Sequence, residues 1–276
     1  MKYFVRPKKI IGDDSVMSFF GHVDILRKIL IRIVAVVITI AIICFIFNSF
    51  IIDGILLGPK TASFPTNKLF AYLADMFHSN NLLINNKAVT LINTQMSGQV
   101  NLSIYISFVT AIIVAIPYIL WELWQFVKPA LSEEMIKKSN LFLLYTSICF
   151  LIGILFGYFI ISPLTVNFLT TYIASNQITN LIDINSYFST VLLVSLSSGL
   201  VFLLPLIAYF LSKMRIINAG IMRHYRRHAI LILTIIAAII TPPDIISCIL
   251  VLIPMLGLYE LSVYISLKVG KKNIKH

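Results

Sequence analysis

The sequence predicts an all-α integral membrane protein, with six transmembrane helices in a kinked, concave bundle, both termini cytoplasmic and a short fifth span. Three observations carry that prediction. The 276 residues are 59% hydrophobic and only 12% charged, with a mean hydropathy of +0.94. Soluble domains average about 45–50% apolar and about 25% charged residues. So little charge cannot coat a water-facing surface of this size, which excludes a cytosolic enzyme, a disordered chain and a secreted disulfide scaffold. Second, apolar runs recur at lengths that suit the ~20 residues needed to cross ~30 Å of hydrocarbon. Third, the basic residues behind the net charge of +11 cluster between alternate pairs of those runs. On a soluble protein that charge would suggest nucleic acid; here it reports which side of a membrane each loop faces.

Along the chain, the first span covers about 33–52, uncharged and bracketed by Arg32 and Asp53. It is too long for a cleaved signal peptide, and no small-residue cleavage pattern follows it. An external segment, 53–101, comes next. Within it Leu69, Phe70, Leu73, Met76 and Phe77 recur at helical spacing, predicting an amphipathic helix that lies against the outer leaflet or caps the bundle. The second span, about 102–127, is interrupted only by Glu122. The third covers about 141–164 and the fourth about 187–211. The fifth, about 229–240, is short and stops at Thr241-Pro242-Pro243-Asp244. Those prolines cannot continue the incoming helix, whereas Pro-Asp suits the first turn of the next one. The sixth, about 245–267, carries Glu260; a single re-entrant hairpin is the alternative for this last pair. Pro117, Pro163, Pro205 and Pro254 each remove a backbone hydrogen bond inside a span, the basis for expecting kinks and concavity. The whole of 1–276 reads as one six-span membrane domain.

Six spans put both termini on one side. Seven of the 22 Lys and Arg precede the first span, three lie in 128–138, five in 213–227 and four in the tail; only Lys60, Lys68 and Lys87 lie opposite. The positive-inside bias then makes both termini cytoplasmic. Cys44, Cys149 and Cys248 are odd in number and sit in apolar runs as small hydrophobes. His224 and His228 share a helical face, but in a basic loop that repels a cation, so no metal site is expected. No phosphate loop or nucleophile elbow is present. The sequence calls for no enzyme chemistry and no cofactor.

Acidic residues at a membrane are costly and therefore informative. Glu122 lies near the cytoplasmic end of the second span. Glu260 lies well inside the sixth, where Lys268 or a water-filled face is its expected partner. Asp183 and Asp244 stand at the outer starts of the fourth and sixth spans, where N-capping is their simplest role. Asp24, Glu133 and Glu134 are set among Lys and Arg on the cytoplasmic side.

Several local strings, in order, resemble the TatC family, the polytopic receptor subunit of the twin-arginine protein translocase. Phe19-Phe20-Gly21-His22-Val23-Asp24-Ile25-Leu26-Arg27 is similar to the family's H-L-x-E-L-R. Trp121-Glu122-Leu123-Trp124-Gln125-Phe126-Val127-Lys128-Pro129-Ala130-Leu131 is similar to Y-[EQ]-x-W-x-F-x-x-P-[AG]-L. Phe156 to Leu164 resembles F-x-Y-F-x-x-x-P-L, and Asp183 to Tyr187 resembles D-I-x-x-Y. Thr241 to Asp244, with Pro254 and Glu260, resembles the T-P-P-D, P and E pattern of the last two spans.

The resemblance implies a receptor for folded cargo bearing twin-arginine signal peptides. It also implies dependence on the proton gradient, TatA- and TatB-like single-span partners, contact with membrane lipid, self-association, and residence in a bacterial cytoplasmic (inner) membrane. Two guanidinium groups call for acids, since Arg forks bind carboxylates bidentately. Asp24, Arg27, Glu133 and Glu134 are the expected twin-arginine contact. His22, Pro59, Glu122, Pro129, Asp183, Asp244 and Glu260 are the expected structural or functional positions in or near the membrane. Three positions depart from the family: its glutamates fall here on Ile25, Met135 and Leu203. From another class, a six-span small-solute or ion transporter is the alternative.

Overall fold

In hydrocarbon every backbone N–H and C=O must find its partner within the protein, so apolar runs fold as helices. The computed structural model describes residues 19–61, 63–76, 78, 84, 90–127, 139–172, 180–213, 217–241 and 245–274. Its long helices are α1 (Phe19–Ile46), α3 (Gly98–Val127), α4 (Ser139–Phe156), α6 (Ile184–Val201) and α10 (Ile245–Ile274). Shorter ones are α2 (Pro65–Met76), α5 (Ser162–Thr171), α7 (Leu204–Lys213), α8 (Ala219–His224) and α9 (Arg226–Ile240). Among the described residues five stretches are long and apolar enough to cross a membrane: Val23–Ile46, Gly98–Phe126, Phe142–Thr171, Ile184–Lys213 and Val251–Lys268. At 15 residues, α9 is only about 22 Å long.

Two of these stretches are interrupted. Between α4 and α5 the chain widens into a π-helical segment, Gly157–Ile161, and α5 restarts with Pro163 in its first turn. Between α6 and α7 a turn at Phe202 and Leu203 precedes Pro205, again in a first turn. A proline suits a first turn because its fixed φ is already that of the helix. Pro117 and Pro254 lie inside α3 and α10. The prolines thus act in two ways, two restarting a helix and two carried within one.

The interhelix contacts rely on small residues. Gly153 and Gly157 face Ser195, Ser198 and Gly199 so closely that a Cβ on Gly157 would stand 2.8 Å from the Ser195 Cα, and one on Gly153 2.8 Å from the Gly199 Cα. Helices in lipid gain little from apolar burial and associate through such close backbone approach. One core joins α1, α3, α5 and α6 through Cys44, Ile106, Val109, Val166, Phe188 and Val191. A second joins Val194 and Ile161 to α9 and α10 through Leu233, Ala237, Val251 and Met255. Buried Ser212 and Ser266 share a 2.7 Å hydrogen bond between α7 and α10. Large apolar side chains such as Ile38, Ile42, Leu151 and Ile239 point outward, as a lipid-facing surface requires.

At one end, β1 (Leu91–Ile92) and β2 (Ile182–Asp183) form a two-residue parallel ladder, Leu91 opposite Ile182 and Ile92 opposite Asp183. The expectation of a purely helical chain is corrected to that extent. Two loops leaving the membrane side by side pair their otherwise exposed backbone groups.

Gly157→Leu forces α4 and α6 apart and is expected to cost about 1–3 kcal/mol, read as a lowered Tm in detergent. Gly257→Ala, inside α10 with no atom within 4 Å of the new Cβ, is expected to keep or slightly raise the Tm.

Candidate functional site

Among the described residues singled out from the sequence, two groups stand at opposite ends of α3. At the start of α3 lie Asp183 and Pro59; about 35 Å along the helix lies Glu122.

Glu122 is 1% exposed, yet its carboxylate is well served. Arg32 Nη1 donates to Oε1 at 3.2 Å and to Oε2 at 3.4 Å, and Tyr118 Oη donates to Oε1 at 2.7 Å. Tyr118 is one helical turn from Glu122 on α3, whereas Arg32 comes from α1. A buried charge is tolerated only with such a partner, so the pair clamps α1 against α3. The sequence marks Arg32 only as a topology residue. Its pairing depends on the antiparallel register of two helices, which no local pattern shows; the available signal is that both residues flank the same end of consecutive spans. Nearby, Asp24 and Arg27 are exposed on α1, and His22 belongs to its first turn. Glu133, Glu134, Pro129 and Asp244 lie outside the described residues.

Glu260 is not paired with Lys268. Its Oε2 accepts from Arg226 Nη2 at 2.6 Å, with both side chains about half exposed, while Lys268 sits over the Tyr264 ring. The expectation fails because α9 returns antiparallel to α10 and sets Arg226 at the level of Glu260. Tyr259 Oη donates to the Met222 carbonyl at 2.7 Å, so two adjacent residues of α10 hold the α8–α9 elbow.

Leu203, one of the three departures, lines an apolar groove of about 320 Å³ with Leu123, Trp124, Phe142, Leu206 and Phe210. Trp124 packs on Phe142 and Phe210 at 4.7 and 5.7 Å between ring centres. Its indole Nε1 has no hydrogen-bond partner among the described residues.

At the opposite end Asp183 caps α6, in keeping with its position before the helix: Oδ1 accepts from the Asn185 N–H at 2.8 Å, and Oδ2 accepts from Thr94 Oγ1 at 3.0 Å. The backbone hydrogen bond from Asn185, helped by Thr94, holds its carboxyl below the usual carboxylate range. Pro59 is buried in a 3-10 turn, Gly58–Lys60, whose neighbouring carbonyls are taken by Asn67: its Nδ2 donates to Pro59 O at 3.1 Å and Thr61 O at 2.7 Å. Ahead of that turn, a π-helical extension of α1, Phe50–Leu56, ends in a cap whose backbone N–H donates to the Ile52 and Ile55 carbonyls. Tyr158 Oη donates to Ile55 O and Tyr187 Oη to Leu56 O.

Apolar helices in one body, a charge-paired end and a folded cap at the other define a multi-pass membrane protein. The family model of TatC, Sec-independent protein translocase protein, matches residues 21–254, and the chain belongs to that family. The TatC protein of a Blattabacterium from Periplaneta americana is 40% identical over 270 residues, covering 95% of this chain and 99% of its own length. That of Campylobacter jejuni is 32% identical over 249 residues, covering 90% and 93%. A crystal structure of the twin arginine translocase receptor TatC in DDM superposes with a TM-score of 0.71 at 30% identity, over 89% of this chain and 99% of that one. The chain is therefore a protein-translocation component, and the small-solute transporter alternative is set aside.

Arg32→Gln leaves a buried carboxylate without its cation and is expected to cost about 2 kcal/mol; adding Glu122→Gln recovers part of it, measured as coupling in a thermal-unfolding double-mutant cycle. Arg226→Gln breaks an exposed pair and stays within about 1 kcal/mol. The depressed Asp183 carboxyl contributes stability above its unfolded-state pKa and loses it as pH falls through the lower, folded value. The protection of the Asn185 amide, its exchange rate relative to the intrinsic rate at each pH, is expected to fall across that acid window and to stay constant above it.

Proposed function

We propose that this chain is the receptor subunit of a twin-arginine translocase. It binds twin-arginine signal peptides and, with TatA- and TatB-like single-span partners and further copies of itself, helps move folded proteins across a bacterial cytoplasmic membrane at the expense of the proton gradient. In this reading the chain is one domain of six spans, with α9 as the short fifth. The prolines bend the bundle into a concave form, and both termini are cytoplasmic, in keeping with the bias of its basic residues.

The observation that carries the reading is the Arg32–Glu122 pair. It holds the start of α1, which carries Asp24, beside the end of α3, the point from which the chain runs on in sequence toward Glu133 and Glu134. Glu122 is already engaged by Arg32. Asp24 is exposed and has no ion-pair partner among the described residues. Ile25 lies seven residues before Arg32 and so within about 20° of it around α1, while Asp24 is about 80° away. The acid that replaces the family glutamate is thus turned from the helix–helix seam toward solvent, where an incoming guanidinium can reach it. Asp24, Glu133 and Glu134 supply carboxylates for the two arginines, and Arg27, exposed one turn along α1 from Asp24, belongs to the same contact. His22, Pro129 and Asp244 support the same end or the last two spans as structural positions.

Asp24→Asn with Glu133→Gln and Glu134→Gln is expected to weaken signal-peptide crosslinking about tenfold or more for each carboxylate that pairs with an arginine, and to leave folded cargo in the cytoplasm. Unchanged crosslinking and export in the triple variant would overturn the assignment.

A further inference from the structure

Helix α2 is amphipathic inside out. At 100° per residue, Thr66, Asn67, Phe70 and Ala74 share one side and Leu69, Tyr72 and Met76 fall within an arc of about 60° on the other. The side turned to the protein is the more polar. Thr66 and Asn67 are 8% and 2% exposed, with Thr66 Oγ1 donating to the Phe159 carbonyl and Asn67 to Pro59 O and Thr61 O. The side turned away carries Leu69, Tyr72 and Met76 at 57%, 68% and 65% exposure. Exposed Lys68 and Asp75 run along one edge of that stripe. The sequence pattern alone places Leu69, Phe70, Leu73 and Met76 on one face. The fold divides them, half-burying Phe70 and Leu73 and leaving the other two outside.

A helix facing water would show the opposite arrangement. Scattered apolar residues need no explanation, but a contiguous stripe of three large ones marks a non-aqueous neighbour. Two observations identify that neighbour as lipid. The first is depth. Thr66 is anchored on Phe159, about 25 Å along the helix from Phe142, the first residue of its candidate span, and so within the ~30 Å apolar thickness. The second is continuity. The end of α1 that leads to this region exposes Ile46, Phe47, Phe50 and Ile55, a lipid-facing surface. Tyr158 links the Ile55 carbonyl to Phe64, which precedes α2 and packs edge-on against the Tyr158 ring. The composition also fits: a tyrosine suits the headgroup level, and a lysine can lay its stem along apolar surface with its ammonium in water.

We propose that α2 is an interfacial lipid anchor. Leu69, Tyr72 and Met76 insert into the acyl–headgroup boundary of the leaflet at the capped end, with Lys68 and Asp75 at the water edge. The occupant of the stripe is phospholipid, and the anchor sets the height of the cap relative to the bilayer.

The test uses the full chain in lipid nanodiscs, with Cys44, Cys149 and Cys248 replaced by alanine and a nitroxide attached singly at Leu69→Cys, Tyr72→Cys, Asp75→Cys or Met76→Cys. Collision with oxygen is expected to exceed collision with a water-soluble nickel chelate at 69, 72 and 76, and the order to reverse at 75. Nickel-dominated collisions at 69 and 72 would place the stripe in water and overturn the proposal. Low collision with both reagents, with dipolar broadening between labels, would assign the stripe to a second copy and overturn it equally. Should the cysteine-free chain not fold, the unaltered chain can be irradiated with a diazirine phospholipid. Adducts on Leu69, Tyr72 or Met76 support the anchor; adducts confined to the transmembrane helices overturn it.

Discussion

The structure depends above all on the cost of an unpaired carbonyl in hydrocarbon, several kcal/mol for each. Every interruption of a helix therefore has to be repaired by something nearby. Pro163 has no N–H to give to the carbonyl four residues back, on Phe159, and the Thr66 hydroxyl gives one instead. At the π-helical end of α1 the Leu56 carbonyl accepts from the Tyr187 hydroxyl, and the Ile55 carbonyl gains a second donor in Tyr158. The turn at Pro59 is closed by Asn67. Apart from the local Asn67 bonds, these repairs span 93 residues or more, so the same bonds that satisfy the backbone also tie the end of α1, α2, the π-helical segment after α4, and α6 into one cap. Remove the need for repair and there is no reason for polar residues to face inward on α2.

Charge follows the same logic with fewer members. The chain has 11 acids, and Glu122 and Glu260, set inside α3 and α10, each take an arginine from a neighbouring helix. Glu122 is buried and shares its carboxylate between Arg32 and Tyr118, so its pair acts as a clamp. Glu260 is half exposed, and its shorter bond to Arg226 is worth less because water competes for both groups. Bond length therefore does not rank these pairs; burial does. Leu203 completes an apolar groove beside Trp124. The Trp124 indole N–H beside it is without a partner among the described residues.

Much of this is legible in the residues. Asp183 directly before Ile184-Asn185 reads as an N-cap, and it is one, because capping depends on three consecutive residues. The positions of the long helices follow from apolar run length for the same reason. Glu260 shows the limit: Lys268 is nearer in sequence, but the side chain that reaches the carboxylate arrives from α9. The faces of α2 show it again, since periodicity gives the angle between Leu69, Phe70 and Leu73 but not the direction in which the protein lies. Gly153 and Gly157 give no sign of their partners, as a close approach is a property of two helices.

Run length, charge count and short ordered strings are enough to establish a membrane protein, the course of its apolar segments and its family. All of these are local or summed quantities, so a linear chain displays them in full. That Arg32 belongs to Glu122 and Arg226 to Glu260, that Thr66 replaces the hydrogen bond lost at Pro163, and that α2 turns its apolar stripe away from the protein all emerge with the packed bundle. Each of these is a relation between residues far apart in the chain. Its existence depends on helix register and rotation, which packing fixes and periodicity leaves open.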